Sequence, residues 1–88
     1  MATKIDPTGP VPPYRQIAAI IRTSIEKGEY PKGTRIPTES EIVETFEVAR
    51  TTARRSVALL REEGLVETVP QRGTYVRLPV TAADQSAP

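Results

Sequence analysis

Apolar residues recur along this chain with two different periods, and the switch between them divides it into elements. Tyr14, Ile17, Ile21 and Ile25 fall on one helical face, with Ala18 filling the same stripe, while Arg15, Arg22 and Glu26 face mostly toward solvent. Pro13 suits the first turn of this helix, where its missing N–H is not needed, and Gly28 stops it. Tyr30-Pro31-Lys32-Gly33 reads as a turn, and Thr34-Arg35-Ile36 as one short strand before Pro37. Thr38 begins a second helix through a capping box: its hydroxyl accepts from the N–H of Glu41, whose carboxylate reaches back to Thr38. Ile42, Val43 and Phe46 supply the stripe of that helix. Glu47-Val48-Ala49 is a tight connection, and a third helix runs from about Arg50 to Glu63 until Gly64 ends it. From Leu65 the period becomes two. Leu65–Val69 is a strand, Pro70-Gln71-Arg72-Gly73 turns the chain, and Thr74–Leu78 returns as its partner.

The fold class is therefore mainly α with a small β-hairpin, in the order α-β-α-α-β-β of a winged helix-turn-helix. Residues 1–12, which hold Pro7, Gly9, Pro10 and Pro12 and few apolar anchors, are expected to be a flexible arm. Residues 13–78 form the domain, and 79–88 a disordered tail. Ala53, Ser56, Val57 and Leu60, flanked by Thr52 and Leu59, form the inward arc of the third helix. Ile36, Phe46, Leu65, Val69, Tyr75 and Val76 are assigned to the core, with Tyr14 and Tyr30 covering the end of the first helix.

Composition removes whole classes of chemistry. Among the 88 residues there is no cysteine and no histidine, so the common nucleophile–base pairs and zinc sites lack candidates. So small a domain also offers little wall for a closed pocket. The chain is read as no enzyme, with no metal and no cofactor. No apolar run reaches membrane-spanning length, and the first residues lack the head and core of a signal peptide, so a cytoplasmic location is expected.

The net charge of +1 hides an asymmetry. Thr38–Val48 carries Glu39, Glu41, Glu44 and Glu47 and no base, whereas Ala49–Arg61 carries Arg50, Arg54, Arg55 and Arg61 and no acid. Local field, more than total charge, decides what a surface attracts. On a helical wheel Arg50, Arg54 and Arg61 share one outward stripe, with Thr51 and Arg55 beside them. Such crowding costs roughly a few tenths of a kcal/mol per like-charged pair, which an anionic ligand relieves. Duplex DNA fits, because the major groove admits a helix and arginine forks onto guanine O6 and N7. In this reading Arg50 and Arg54 read base edges or the adjacent phosphate, Thr51 and Thr52 grip phosphate, and Arg55 and Arg61 add field at longer range. The competing reading has the arginines solubilise the helix and pair with Glu44, Glu47 or Glu62; the preceding turn and following hairpin favour DNA. At the hairpin tip Arg72 is expected in a minor groove, and Gly73 supplies turn freedom with little bulk near a neighbour.

The ordered segments Tyr14-Arg15-Gln16-Ile17-Ala18, Gly28–Glu39, Val48–Arg55, Leu60–Val66 and Arg72–Val76 resemble the GntR family of bacterial transcription regulators over roughly residues 13–78. The resemblance implies a third helix in the major groove, a wing tip in the minor groove, and a regulator, by family habit a repressor, that reads inverted-repeat operators as a dimer. It carries DNA contact to Arg50, Thr51, Thr52, Arg54 and Gly73, with Arg72 adjacent. The chain departs from the family pattern at Ser40, commonly arginine, which brings a hydroxyl for one phosphate but no charge. It departs again at Glu47, where a small or flexible residue is usual, and at Ala49, usually a serine N-cap whose loss costs about 0.5–2 kcal/mol. Family members also carry a larger ligand-binding and dimerising domain, so no effector pocket is expected here, and pairing is expected on DNA, through the small domain or through another chain. The alternative of a winged-helix protein-interaction module requires an exposed apolar patch on the third helix or the wing.

Overall fold

The computed structural model describes residues 4–77. Three helices, α1 (Pro13–Glu26), α2 (Glu39–Phe46) and α3 (Arg50–Glu62), precede an antiparallel hairpin of β1 (Val66–Val69) and β2 (Gly73–Val76). This is the winged helix-turn-helix order expected, with one difference. The strand expected at Thr34–Ile36 is a single bridge, Arg35 to Tyr75, flanked by Ile36 N–H donating to the Thr74 carbonyl at 3.0 Å and Val76 N–H to that of Thr34 at 2.9 Å. Pro37 follows at once and has no N–H to continue the ladder.

α3 lies at the centre, packed against α1, α2 and β1. Its inward arc is the expected one: Ala53, Ser56, Val57 and Leu60 are buried. They meet Ile17, Ala18, Ile21 and Ile25 of α1 and Ile42 and Phe46 of α2 in one apolar cluster that also takes in Ile36, Leu65, Val66 and Val76. Ser56 sits there without penalty because its hydroxyl donates to the Ala53 carbonyl at 2.7 Å. Val69 and Tyr75, assigned to the core, are only half-buried, since the hairpin leaves the body as it approaches its tip. Val66, by contrast, is 1% exposed. The strand starts one residue after Leu65, which closes the end of α3, so both of these neighbours face the core.

The helix ends follow local chemistry. Thr38 caps α2 as expected: Glu41 N–H donates to its Oγ1 at 3.1 Å, and its own N–H donates to Glu41 Oε1 at 2.8 Å. α1 and α3 close in the same way, with Glu29 N–H on the Ser24 carbonyl at 2.9 Å and Leu65 N–H on the Leu60 carbonyl at 3.1 Å, around Gly28 and Gly64. α2 closes similarly, Val48 N–H reaching the Val43 carbonyl at 3.3 Å, but the left-handed residue is Glu47, at φ 55°. An L side chain there is strained by about 1–2 kcal/mol.

Residues 4–12, expected as an arm with few anchors, are tied to α1. The Gln16 side-chain amide accepts from Asp6 N–H and donates to the Asp6 carbonyl, both at 2.6 Å, and donates to the Val11 carbonyl at 2.7 Å. Ile5 packs against the core. The tail assigned to 79–88, and Leu78 before it, lie outside the described residues.

Glu47→Gly removes the side-chain strain but makes the unfolded chain more flexible, so a net gain of about 0.5–1 kcal/mol is expected. Urea or thermal unfolding checks this; an unchanged or lowered midpoint would show that the Glu47 backbone is not strained.

Candidate nucleic-acid interface

The capping box at Thr38 fixes the first turn of α2 and turns Glu39 and Ser40 toward the start of α3. There Arg50 Nη2 donates to Ser40 Oγ at 3.2 Å. Arg50 Nη1 and Arg54 Nε each stand 3.8 Å from one oxygen, Glu39 Oε1. Ser40, Arg50 and Arg54, each expected to contact DNA, are thus brought into one cluster. The carboxylate that joins them is Glu39, not Glu44, Glu47 or Glu62. The Arg50 and Arg54 side chains are 54% and 63% exposed. Long, solvent-screened pairs of this kind are worth at most a fraction of a kcal/mol, so neither arginine is immobilised.

Thr51 is exposed beside this cluster and Thr52 half-buried. Ala49 takes the extended N-cap conformation without a side-chain hydrogen bond, so no hydroxyl or carboxylate covers the first-turn amides of α3. Further along the helix, Arg61 Nη1 donates to Thr68 Oγ1 of β1 at 2.8 Å, and Thr68 shares a hydroxyl hydrogen bond with Thr74 of β2 at 3.2 Å. Arg61 therefore ties α3 to the wing.

Arg55 belongs to a different edge. Successive helical residues are about 100° apart, which carries it from the α2 side of α3, where Arg54 lies, to the α1 side. Its guanidinium carbon sits 4.2 Å from the centroid of the Tyr14 ring.

At the wing tip, Gln71 has φ 66° and Gly73 φ 129°. Gly73 opens β2 instead of ending the turn. At Gly73 the backbone conformation favours glycine, and a Cβ there would stand 2.7 Å from Arg35 Cδ, so the exposed Arg35 side chain would have to shift. Arg35 reaches along the wing to the Arg72 carbonyl, with Nη1 3.5 Å away, while Tyr75 Oη donates to the same carbonyl at 3.4 Å. The Arg72 side chain is exposed.

Three participants escaped the sequence reading: Glu39, Arg35 and Tyr14. Their partners lie far along the chain or on another element, so no local spacing signals them. Among the described residues no cluster of three or more carboxylates is placed to hold a metal ion, and no helix is long and apolar enough to cross a membrane.

Comparison with known proteins identifies the family. Residues 13–76 match the family described as "Bacterial regulatory proteins, gntR family". The mannosyl-D-glycerate transport/metabolism system repressor MngR of Escherichia coli is 42% identical over 78% of this chain and 29% of its own length. The transcriptional repressor NagR of Bacillus subtilis is 36% identical over 85% of this chain and 31% of its own. The chain thus spans under a third of the length of these relatives. Among solved structures, YtrA from Sulfolobus acidocaldarius, a GntR-family transcription factor, superposes with TM-score 0.80 at 31% identity, covering 91% of this chain and 84% of that one. The AraR DNA-binding domain in complex with operator ORX1 superposes with TM-score 0.77 at 32% identity, covering 83% and 93%. The chain belongs to the gntR family of bacterial regulatory proteins.

Proposed function

We propose that the chain is a sequence-specific, double-stranded DNA-binding transcription regulator, acting as a repressor, with α3 in the major groove and the wing tip in the minor groove. The observation that carries this is the pair Arg50 and Arg54, exposed on one edge of α3 and held by a shared, screened carboxylate and, for Arg50, by the Ser40 hydroxyl. The operator complex of the similar AraR domain and the repressor names of MngR and NagR support it. Arg50 and Arg54 read base edges or the adjacent phosphate. Thr51, Thr52 and Ser40 bind phosphate through hydroxyls, and the uncapped amides of the first α3 turn add to that attraction. Arg72 and Gly73 approach the minor groove, where narrow walls concentrate negative potential. Arg55 adds positive field. No catalytic role, metal or cofactor is part of the proposal, and the cytoplasm, where bacterial DNA lies, is its proposed location.

The protein-interaction alternative is disfavoured by a particular observation. The large hydrophobic side chain exposed among the described residues is Val11, at 47%, on neither α3 nor the wing.

Affinity for duplex DNA, measured across a salt series, is expected to fall with a log–log slope of about −0.9 per phosphate neutralised. A flat response would favour the docking module instead. Arg54→Ala is expected to relax base preference by about 1–3 kcal/mol at one position of a DNA fragment obtained by selection. Equal weakening on every sequence would reduce Arg54 to a phosphate contact. The chain is expected to be monomeric alone and to pair on an inverted-repeat operator; a tight dimer without DNA in sedimentation would overturn this.

A further inference from the structure

The edge of α3 turned toward α1 holds a second cationic group that the roles above leave largely unused. We infer that Tyr14, Arg15 and Arg55 form a clamp for a DNA backbone phosphodiester on the side of the recognition helix opposite Glu39, Arg50 and Arg54. The inference rests on the DNA-binding reading and gives these residues a direct contact in place of a distant field.

Three features on two elements build the clamp. Arg55 lies with its guanidinium carbon 4.2 Å from the Tyr14 ring centroid, so its long side chain is held over the ring before any ligand arrives. Arg15 Nε donates to Tyr14 Oη at 3.2 Å, with its guanidinium carbon 5.8 Å from the same centroid. Because the phenol oxygen accepts from Arg15, its own proton remains to be donated to an anion. The hydrogen bond from Arg15, and the positive charge of Arg15 and Arg55, lower the Tyr14 pKa and sharpen it as a donor.

No carboxylate competes for the two guanidinium groups. Among the described residues the ion pairs involve Arg22, Arg50 and Arg54, not Arg15 or Arg55. Glu63, whose charge Arg15 feels, is taken by Arg22, which contacts both of its oxygens at 2.8 Å. This contrasts with the other edge, where one carboxylate serves two arginines. A helix lying in the major groove has a phosphate wall on each side. Arg50 and Arg54 border one side of the exposed face of α3, and Arg55 with Arg15 borders the other. Guanidinium pairs with a phenol donor suit a tetrahedral oxyanion, and phosphodiesters are the anions that line those walls.

The test uses the full chain with Arg15→Gln, Arg55→Gln and Tyr14→Phe variants, a DNA fragment selected by the wild-type chain, and a mixed-sequence duplex of equal length. Each arginine variant is expected to lower the magnitude of the salt slope by about 0.9 and to weaken both duplexes by the same factor, about three- to tenfold. Tyr14→Phe keeps the ring under Arg55 and loses the proton; it is expected to weaken both duplexes by a smaller factor without changing the slope. Unchanged slopes in both arginine variants, with wild-type slope intact, would overturn the clamp and leave the DNA-binding reading standing. So would a loss confined to the selected fragment, which indicates base reading, or a loss matched by a lowered unfolding midpoint, which indicates a packing role. A wild-type chain whose binding ignores salt would remove the underlying reading as well. Neutral methylphosphonate links in the selected fragment localise the contact: one link should weaken wild type but not Arg55→Gln, and no such position would count against the clamp.

Discussion

Burial of one face of α3 is the constraint on which the rest of the molecule depends. Ala53, Val57 and Leu60 seat the helix between α1 and α2, and Leu60 is fully buried. Burying a Val or Leu side chain contributes about 1.5–3 kcal/mol, a large share of the stability available to a domain this small. The rotation of α3 about its axis is therefore fixed by packing. Every other position on the helix inherits its direction from that choice. Arg50, Arg54 and Arg61 emerge toward α2 and the wing, and Arg55 toward α1, because the apolar arc has claimed the remaining surface. A substitution that rotates the buried face would move the whole cationic array together, without touching any of its members.

The wing is anchored at its base by apolar packing and toward its tip by polar contacts to α3 and to the segment before α2. At its base Val66 and Val76 are cross-strand partners and both buried. Toward the tip, Arg61 holds Thr68, Thr68 holds Thr74, and Arg35 passes under Gly73 to the Arg72 carbonyl. These links are exposed and individually weak. A hairpin so attached keeps the register set by its ladder. Gly73 has a double role, since a side chain there would meet both an unfavourable φ and the Arg35 stem.

Much of this architecture was legible because it is written in short-range chemistry. Thr38 with Glu41, Pro13, Gly28 and Gly64 mark helix ends through groups within a few residues of one another, and the inward arc of α3 follows from a single period. The alternation from Leu65 located the hairpin but misjudged its depth, because period alone does not say how far a strand extends beyond the body; Val69 and Tyr75 are the casualties. What sequence spacing could not supply were contacts made by the fold. Gln16 binds Asp6 ten residues away, Arg35 meets Arg72 at a separation of 37, and Arg22 meets Glu63 at 41. Glu39 was passed over for the same reason. The nearer acids, Glu44 and Glu47, look like better partners for Arg50 on paper, yet the helix-turn-helix brings the Glu39 and Ser40 side chains, from the start of α2, against Arg50 and Arg54.

That juxtaposition also explains how a chain of net charge +1 can present a strongly anion-seeking surface. α2 carries acids and no base, α3 carries bases and no acid as far as Arg61, and one acid, Glu39, stands at the boundary. At 3.8 Å from both Arg50 and Arg54 it moderates their repulsion without satisfying the hydrogen bonds of either fork. The guanidinium groups are thus kept close to one another, with one Arg50 donor on Ser40 Oγ and no carboxylate within direct hydrogen-bond distance. A guanine edge offers the paired acceptors that the shared oxygen does not, so engaging it trades a screened, distant contact for two directed hydrogen bonds. Under the proposed DNA-binding role, the carboxylate between the two arginines leaves both side chains free to meet a base edge or an adjacent phosphate.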